Sequence, residues 1–84
     1  MLDVIIYATL SCPYCIKAKQ LFDQKNITYQ VIDVASDPVK KQEMMERSGR
    51  RTVPQIFING AHIGGCDDLM ELENTGKLDK LIKS

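Results

Sequence analysis

Hydrophobic spacing changes character along the chain, and each change marks an element. The run DVIIY, Asp3 to Tyr7, is β-branched and almost unbroken, as expected of a central strand covered on both faces. Further on, Cys15, Ala18, Leu21 and Phe22 recur at three- and four-residue steps, while Lys17, Lys19, Gln20, Asp23 and Gln24 fill the other side. That pattern predicts an amphipathic helix ending near Lys25 and Asn26, because asparagine tolerates the left-handed conformation at a helix end. ITYQVIDV then sets Tyr29 and Val31 against Thr28 and Gln30, a second strand.

A second helix opens at SDPVKKQEMMERSG, with Asp37 as N-cap, Pro38 at the first helical position and Gly49 as its C-terminal stop. Met44 and Met45 fall where this helix would pack on a core. QIFIN is a third strand, and Asn59-Gly60 is a two-residue hairpin turn that returns AHIG as an antiparallel fourth. GGCDDLMELENTG becomes amphipathic through Leu69 and Leu72, and Lys77 to Lys83 makes a last short helix on Leu78, Leu81 and Ile82. The order β-α-β-α-β-β-α, with a short extra helix, predicts an α/β fold. Its first β-α-β unit should be parallel and right-handed, giving a mixed four-stranded sheet flanked by helices on both faces. No repeat, low-complexity segment or linker divides residues 1–84, which are expected to form a single domain.

Composition narrows the function classes. Eleven basic residues balance eleven acidic ones, so no global field favours nucleic acid or an anionic membrane surface. No segment approaches the ~18 apolar residues of a membrane span. MLDVIIYATL carries an acid and no basic leader, unlike an export signal. A cytoplasmic location is expected, where thiols are kept reduced. Three cysteines is an odd count, which argues against a purely structural disulfide set. Lys77, Lys80 and Lys83 are a solvated helix face.

The chemistry concentrates at Cys12-Pro13-Tyr14-Cys15. The pair lies where the first strand hands over to the first helix, at the carboxyl end of a buried strand, the usual place for sites in open α/β sheets. Pro13 suits the first helical position and makes Cys12 the N-cap. A sulfur there faces the unpaired amides of Tyr14 and Cys15 and the positive end of the helix dipole, both of which favour thiolate. Cys15 lies on the same face one turn in, less exposed, and should keep its proton longer. Cys12 is thus the nucleophile and leaving group, and Cys15 the resolving thiol. Cys12, Cys15, His62 and Cys66 could also be counted as a Cys3His zinc set. Against this, His62 falls in a hairpin strand as a surface side chain and Cys66 follows two glycines. No metal is expected.

CPYC at Cys12 to Cys15, TVPQIFING from Thr52 and GGCDDL from Gly64, in this order and spacing, resemble a dithiol glutaredoxin over essentially the whole chain. The resemblance implies a thioredoxin-like fold, glutathione as reductant and co-substrate, and reduction of protein disulfides and protein–glutathione mixed disulfides. It implies a cis Val53–Pro54 bond that turns the Val53 main chain outward to pair with an extended peptide. Tyr14, Thr52, Val53 and Pro54 would then border the glutathione. Cys66, Asp67 and Asp68 would clamp its γ-glutamyl end through free helix amides and carboxylates. Of Arg50 and Arg51, both suited to a carboxylate, Arg51 is assigned the glycyl one. Partners implied are glutathione and disulfide-bearing or glutathionylated proteins, ribonucleotide reductase among the candidates, with the chain a monomer. One position departs from the family: a lysine is typical three residues before the first cysteine, and Thr9 stands there. Two neighbouring activities fit the cysteine pair as well. One is a thioredoxin-like reductant fed by a flavoenzyme, which would not need the GGCDD clamp. The other is a carrier bridging a [2Fe–2S] cluster through Cys12 and glutathione, for which Pro13 leaves less room.

Overall fold

The computed structural model describes residues 2–83, and of Lys83 the backbone alone. Eight elements follow in order: β1 (Val4–Ala8), α1 (Pro13–Gln24), β2 (Gln30–Asp33), α2 (Pro38–Ser48), β3 (Gln55–Ile58), β4 (Ala61–Gly64), α3 (Cys66–Asn74) and α4 (Lys77–Lys83). The strands form one sheet in the order β2-β1-β3-β4. β1 runs parallel to β2 and antiparallel to β3, with Ile6 opposite Val31 on one side and Ile56 on the other. β3 and β4 are antiparallel, with an irregular register at Ile56 and Phe57.

β1 holds its central place because it is covered on both faces. Val4, Ile6 and Ala8 join Ile56 and Ile58 beneath Cys15, Ala18, Phe22, Leu69 and Leu78, so α1, α3 and α4 cover one face. Tyr7 and Phe57 point the other way and meet Val34 and Met44, with Met45 partly buried beside them, so α2 covers the second face. The Tyr7 hydroxyl donates to Glu43 Oε2 at 2.5 Å and accepts from Arg47 Nη1 at 2.7 Å. Arg47 also lies over the Phe57 ring, 4.3 Å from its centre. These polar contacts fix the register of α2 on an otherwise apolar surface.

Local signals explain the element ends. Asp37 caps α2 by accepting from the amides of Val39 and Lys40, and Gly49 ends it at φ 71°. Asn59 and Gly60 take φ values of 50° and 83°, the pair of left-handed residues that a tight hairpin needs. Asn59 is further tied to the start of β1, accepting from the Asp3 amide at 2.8 Å through its side chain. At the rear of α1, Lys25 Nζ reaches both Glu73 in α3 (2.8 Å) and Asp79 in α4 (2.7 Å).

β2 is shorter than the alternating stretch suggests. Tyr29 packs as anticipated, its ring 5.8 Å from that of Phe22. Val31 instead remains 37% exposed, because β2 is the outer strand of the sheet and has a neighbour on one side only. Among the described residues no helix is long and apolar enough to cross a membrane.

Met44 has no solvent exposure and bridges α2 to the sheet. Met44→Ala should cost about 2–5 kcal/mol, whereas Met44→Leu should cost under about 1.5 kcal/mol. Urea unfolding of the two variants measures this, and equal losses would show that the α2 face is not close-packed around this side chain.

Candidate functional site

Cys12 is the N-cap of α1, in extended conformation, and Pro13 supplies the first helical residue. Its carbonyl accepts from the Ile16 amide at 3.1 Å, beginning the helix. The neutral sulfur closes no capping hydrogen bond of its own, and it donates to the Val53 carbonyl oxygen with Sγ 3.9 Å away. Partial burial opposes ionisation of Cys12. The Cys15 amide, the Cys15 thiol and the Tyr14 amide outweigh it, with help from the Lys19 charge, and hold the pKa below the ordinary thiol value. Cys15 has no solvent exposure. Burial drives its pKa up to about 11, the Thr9 amide offsets part of this, and hydrogen bonding to Cys12 pushes upward again. The two sulfurs share one helical face and are split in acidity by one turn of helix.

Lys19 is the contributor that the sequence pattern conceals. Its place on the polar face of α1 suggests only solvation, yet it lies four residues beyond Cys15 and stabilises the ionised form of both thiols. The i, i+4 spacing is the one signal that points to it. Thr9 carries no charge, but its backbone amide serves the Cys15 sulfur.

Beside the cysteines, the Val53–Pro54 bond is cis. Val53 separates two clefts. The first, about 200 Å³, is bordered by Tyr14, Thr52, Val53, Pro54, Cys66, Asp67 and Asp68, so most of the anticipated binding residues come together there. Tyr14 is more than half exposed at its rim. The second, about 250 Å³, lies across Val53 and is bordered by Thr9, Pro38, Lys41 and Arg51 among others.

The arginines divide between the clefts. Arg50 enters the first and pairs with Asp68 at 2.9 Å, while Arg51 lies outside it and borders the second. The two are neighbours in the irregular segment after α2, so one residue of register decides which arginine meets which cleft. Lys41, on the exposed side of α2, carries no sequence signal for a role; the fold brings it beside Arg51.

At the front of α3, the Gly65 amide donates to Asp68 Oδ2 at 3.0 Å. That bond, followed by the Arg50 ion pair, holds the Asp68 carboxyl below the usual carboxylate range. Gly64 sits at φ 119°, and a Cβ there would run into the Asp68 carboxylate, so the glycine is required by this capping arrangement. Asp67 is exposed in the same first turn. Cys66 is buried, and burial raises its pKa. His62 is turned toward Gln55 and Phe57. Among the described residues no group of three or more His, Cys, Asp or Glu side chains is placed to hold a metal ion.

The chain is similar in sequence and fold to known proteins. The family profile described as glutaredoxin matches residues 4–63. Glutaredoxin 3 of Escherichia coli strain K12 is 49% identical over 83 residues, covering 99% of this chain and 100% of the relative. Glutaredoxin 1 of Rickettsia typhi is 51% identical over 83 residues, covering 96% of this chain and 80% of the relative. The solution structure of glutaredoxin from Brucella melitensis superposes with a TM-score of 0.86 at 54% identity, covering 99% of this chain and 90% of that one. A buckwheat glutaredoxin–glutathione complex superposes with a TM-score of 0.89 at 36% identity, covering 95% and 76%. The sheet and its helices therefore have the thioredoxin-like arrangement.

Thiolate absorbance followed against pH should show one sulfur ionising below the ordinary thiol range and a second near 11. Cys12→Ser should remove the first ionisation, and Lys19→Gln should move it upward. Persistence of the low ionisation in Cys12→Ser would assign it to another sulfur and overturn the acidity split.

Proposed function

Because the chain belongs to the glutaredoxin family, whose members are glutathione-dependent thiol oxidoreductases, we propose that it reduces protein–glutathione mixed disulfides and protein disulfides through Cys12 and Cys15. The carrying observation is a sulfur predisposed to ionise, set against the Val53 carbonyl, with a cleft on either side of that residue. Glutathione has charged groups at both ends and its cysteine in the middle, which matches this layout. Its cysteine would lie along the Val53 main chain, as an added strand does. The γ-glutamyl end would occupy the first cleft, with Asp67 taking the ammonium and the α3 amides with Arg50 taking the carboxylate. Asp68 is already engaged by Gly65 and Arg50, so its part is to hold the arginine rather than to meet the ligand alone. The glycyl carboxylate would fall to Arg51 and Lys41 in the second cleft. This supports Lys41 as the replacement for the lysine that the family places where Thr9 stands.

Reaction with a glutathionylated protein starts when the Cys12 thiolate attacks the glutathione sulfur. The S–S bond to the protein breaks, the protein leaves as thiolate, and Cys12 carries glutathione as a mixed disulfide. A second glutathione thiolate attacks the sulfur of the bound glutathione, giving glutathione disulfide and regenerating the Cys12 thiolate. With a protein disulfide, Cys12 becomes linked to the protein. Cys15, on losing its proton, attacks the Cys12 sulfur, expels the protein thiolate and leaves a Cys12–Cys15 disulfide for two glutathiones to reduce. The high pKa of Cys15 keeps it protonated and unreactive until the mixed disulfide has formed next to it.

Turnover of a glutathionylated peptide should be lost in Cys12→Ser. Cys15→Ser should retain that turnover and lose reduction of protein disulfides; equal loss of both would end the division of labour. Lys41→Ala and Arg51→Ala should each raise the KM for the glutathionylated peptide about three- to tenfold with kcat little changed, as expected for loss of a solvent-exposed charged hydrogen bond. An unchanged KM in both variants would remove the second cleft from the binding site.

A further inference from the structure

The Thr52–Val53 segment follows α2 and precedes the cis proline, outside any regular element. Gln55, the first residue of β3, holds it from behind. Gln55 has no solvent exposure and is the single buried polar residue among the described ones. Its Nε2 donates to the Thr52 carbonyl at 3.0 Å and to Thr52 Oγ1 at 3.3 Å. A carbonyl can only accept, so this contact fixes which end of the amide faces the loop. The other end, Oε1, therefore faces His62 Nε2 at 2.8 Å and must receive a proton from it. His62 in turn lies against the Phe57 ring, with centres 5.1 Å apart, directly across the β3–β4 ladder. A chain of donors thus runs from β4 through a buried amide to the backbone of the segment that faces Cys12.

We propose that Gln55 and His62 are positioning residues that hold the Thr52–Val53 main chain where a glutathione-linked substrate can pair with it. The proposal deepens the glutathione-dependent reading and rests on it for its catalytic consequence. Neither residue borders the clefts, so neither acts on the chemistry directly. Replacing Gln55 by an apolar residue frees the Thr52 carbonyl and hydroxyl and lets the segment move. Removing the imidazole leaves Gln55 Oε1 without its donor and loosens the same support from one step further away. The ionisation of Cys12 depends instead on α1 groups and should not follow.

Gln55→Leu, His62→Ala and His62→Gln test this, with a glutathionylated peptide as substrate and amide hydrogen exchange as a second readout. Gln55→Leu should raise KM about five- to tenfold, as for loss of one or two hydrogen bonds, with kcat within about twofold of the parent. His62→Ala should do the same more weakly, and His62→Gln, which restores a donor, should recover the parent KM. Exchange should quicken at Gln55, at the start of β3, while Ile6 and Ile56 stay protected. Should Gln55→Leu fail to fold, the two variants at the exposed His62 still decide the question. Unchanged exchange at Gln55 in His62→Ala overturns the proposal, as does a KM that His62→Gln fails to recover. If the parent protein itself does not turn over the peptide, the glutathione reading fails, while the exchange data still show whether the support exists.

Discussion

The acidity split of the cysteine pair depends on a difference in solvation between two sulfurs on one helix. Cys12 sits at the open end of α1, where main-chain amides have no helical partners, and Cys15 sits one turn in, sealed beneath the sheet. Burial alone would raise both pKa values. Only the front sulfur has enough donors facing it to reverse the sign. The sheet is what maintains the difference. β1 delivers the chain to the helix start from a position covered on both faces, so neither the strand nor the first helical turn has room to shift.

A second constraint is that the segment between the two clefts has no regular structure of its own. Thr52 to Pro54 is held from behind by the buried Gln55, whose amide donates to Thr52. Charges are then distributed around it by register. One residue of displacement between Arg50 and Arg51 assigns one guanidinium to the acidic cleft at α3 and the other to the basic cleft beside α2.

The sequence makes legible whatever depends on short-range periodicity or on backbone chemistry at fixed offsets. The strand at Asp3 to Tyr7, the Asp37-Pro38 helix start, the Gly49 stop and the Asn59-Gly60 turn all lie where local rules put them. So does the cysteine pair at the strand-to-helix junction. Contacts made only by folding stay hidden. Lys41 and Arg51 are ten residues apart and meet because α2 packs back across the sheet. Gln55 looks like an ordinary polar residue in a strand until its burial is known. Val31 alternates correctly yet stays exposed, since periodicity does not say that its strand is the outermost one.

The far end of α1 has a different job. Where the front of this 12-residue helix carries the cysteine pair, Lys25 just past its rear is gripped by carboxylates from α3 and α4. The helix is thereby clamped at the back while its cysteine-bearing front stays open, like a tool held in a vice. Such a grip is electrostatic and near the surface, so salt weakens it. Ionic strength therefore sets how firmly the rear of α1 is tied to α3 and α4.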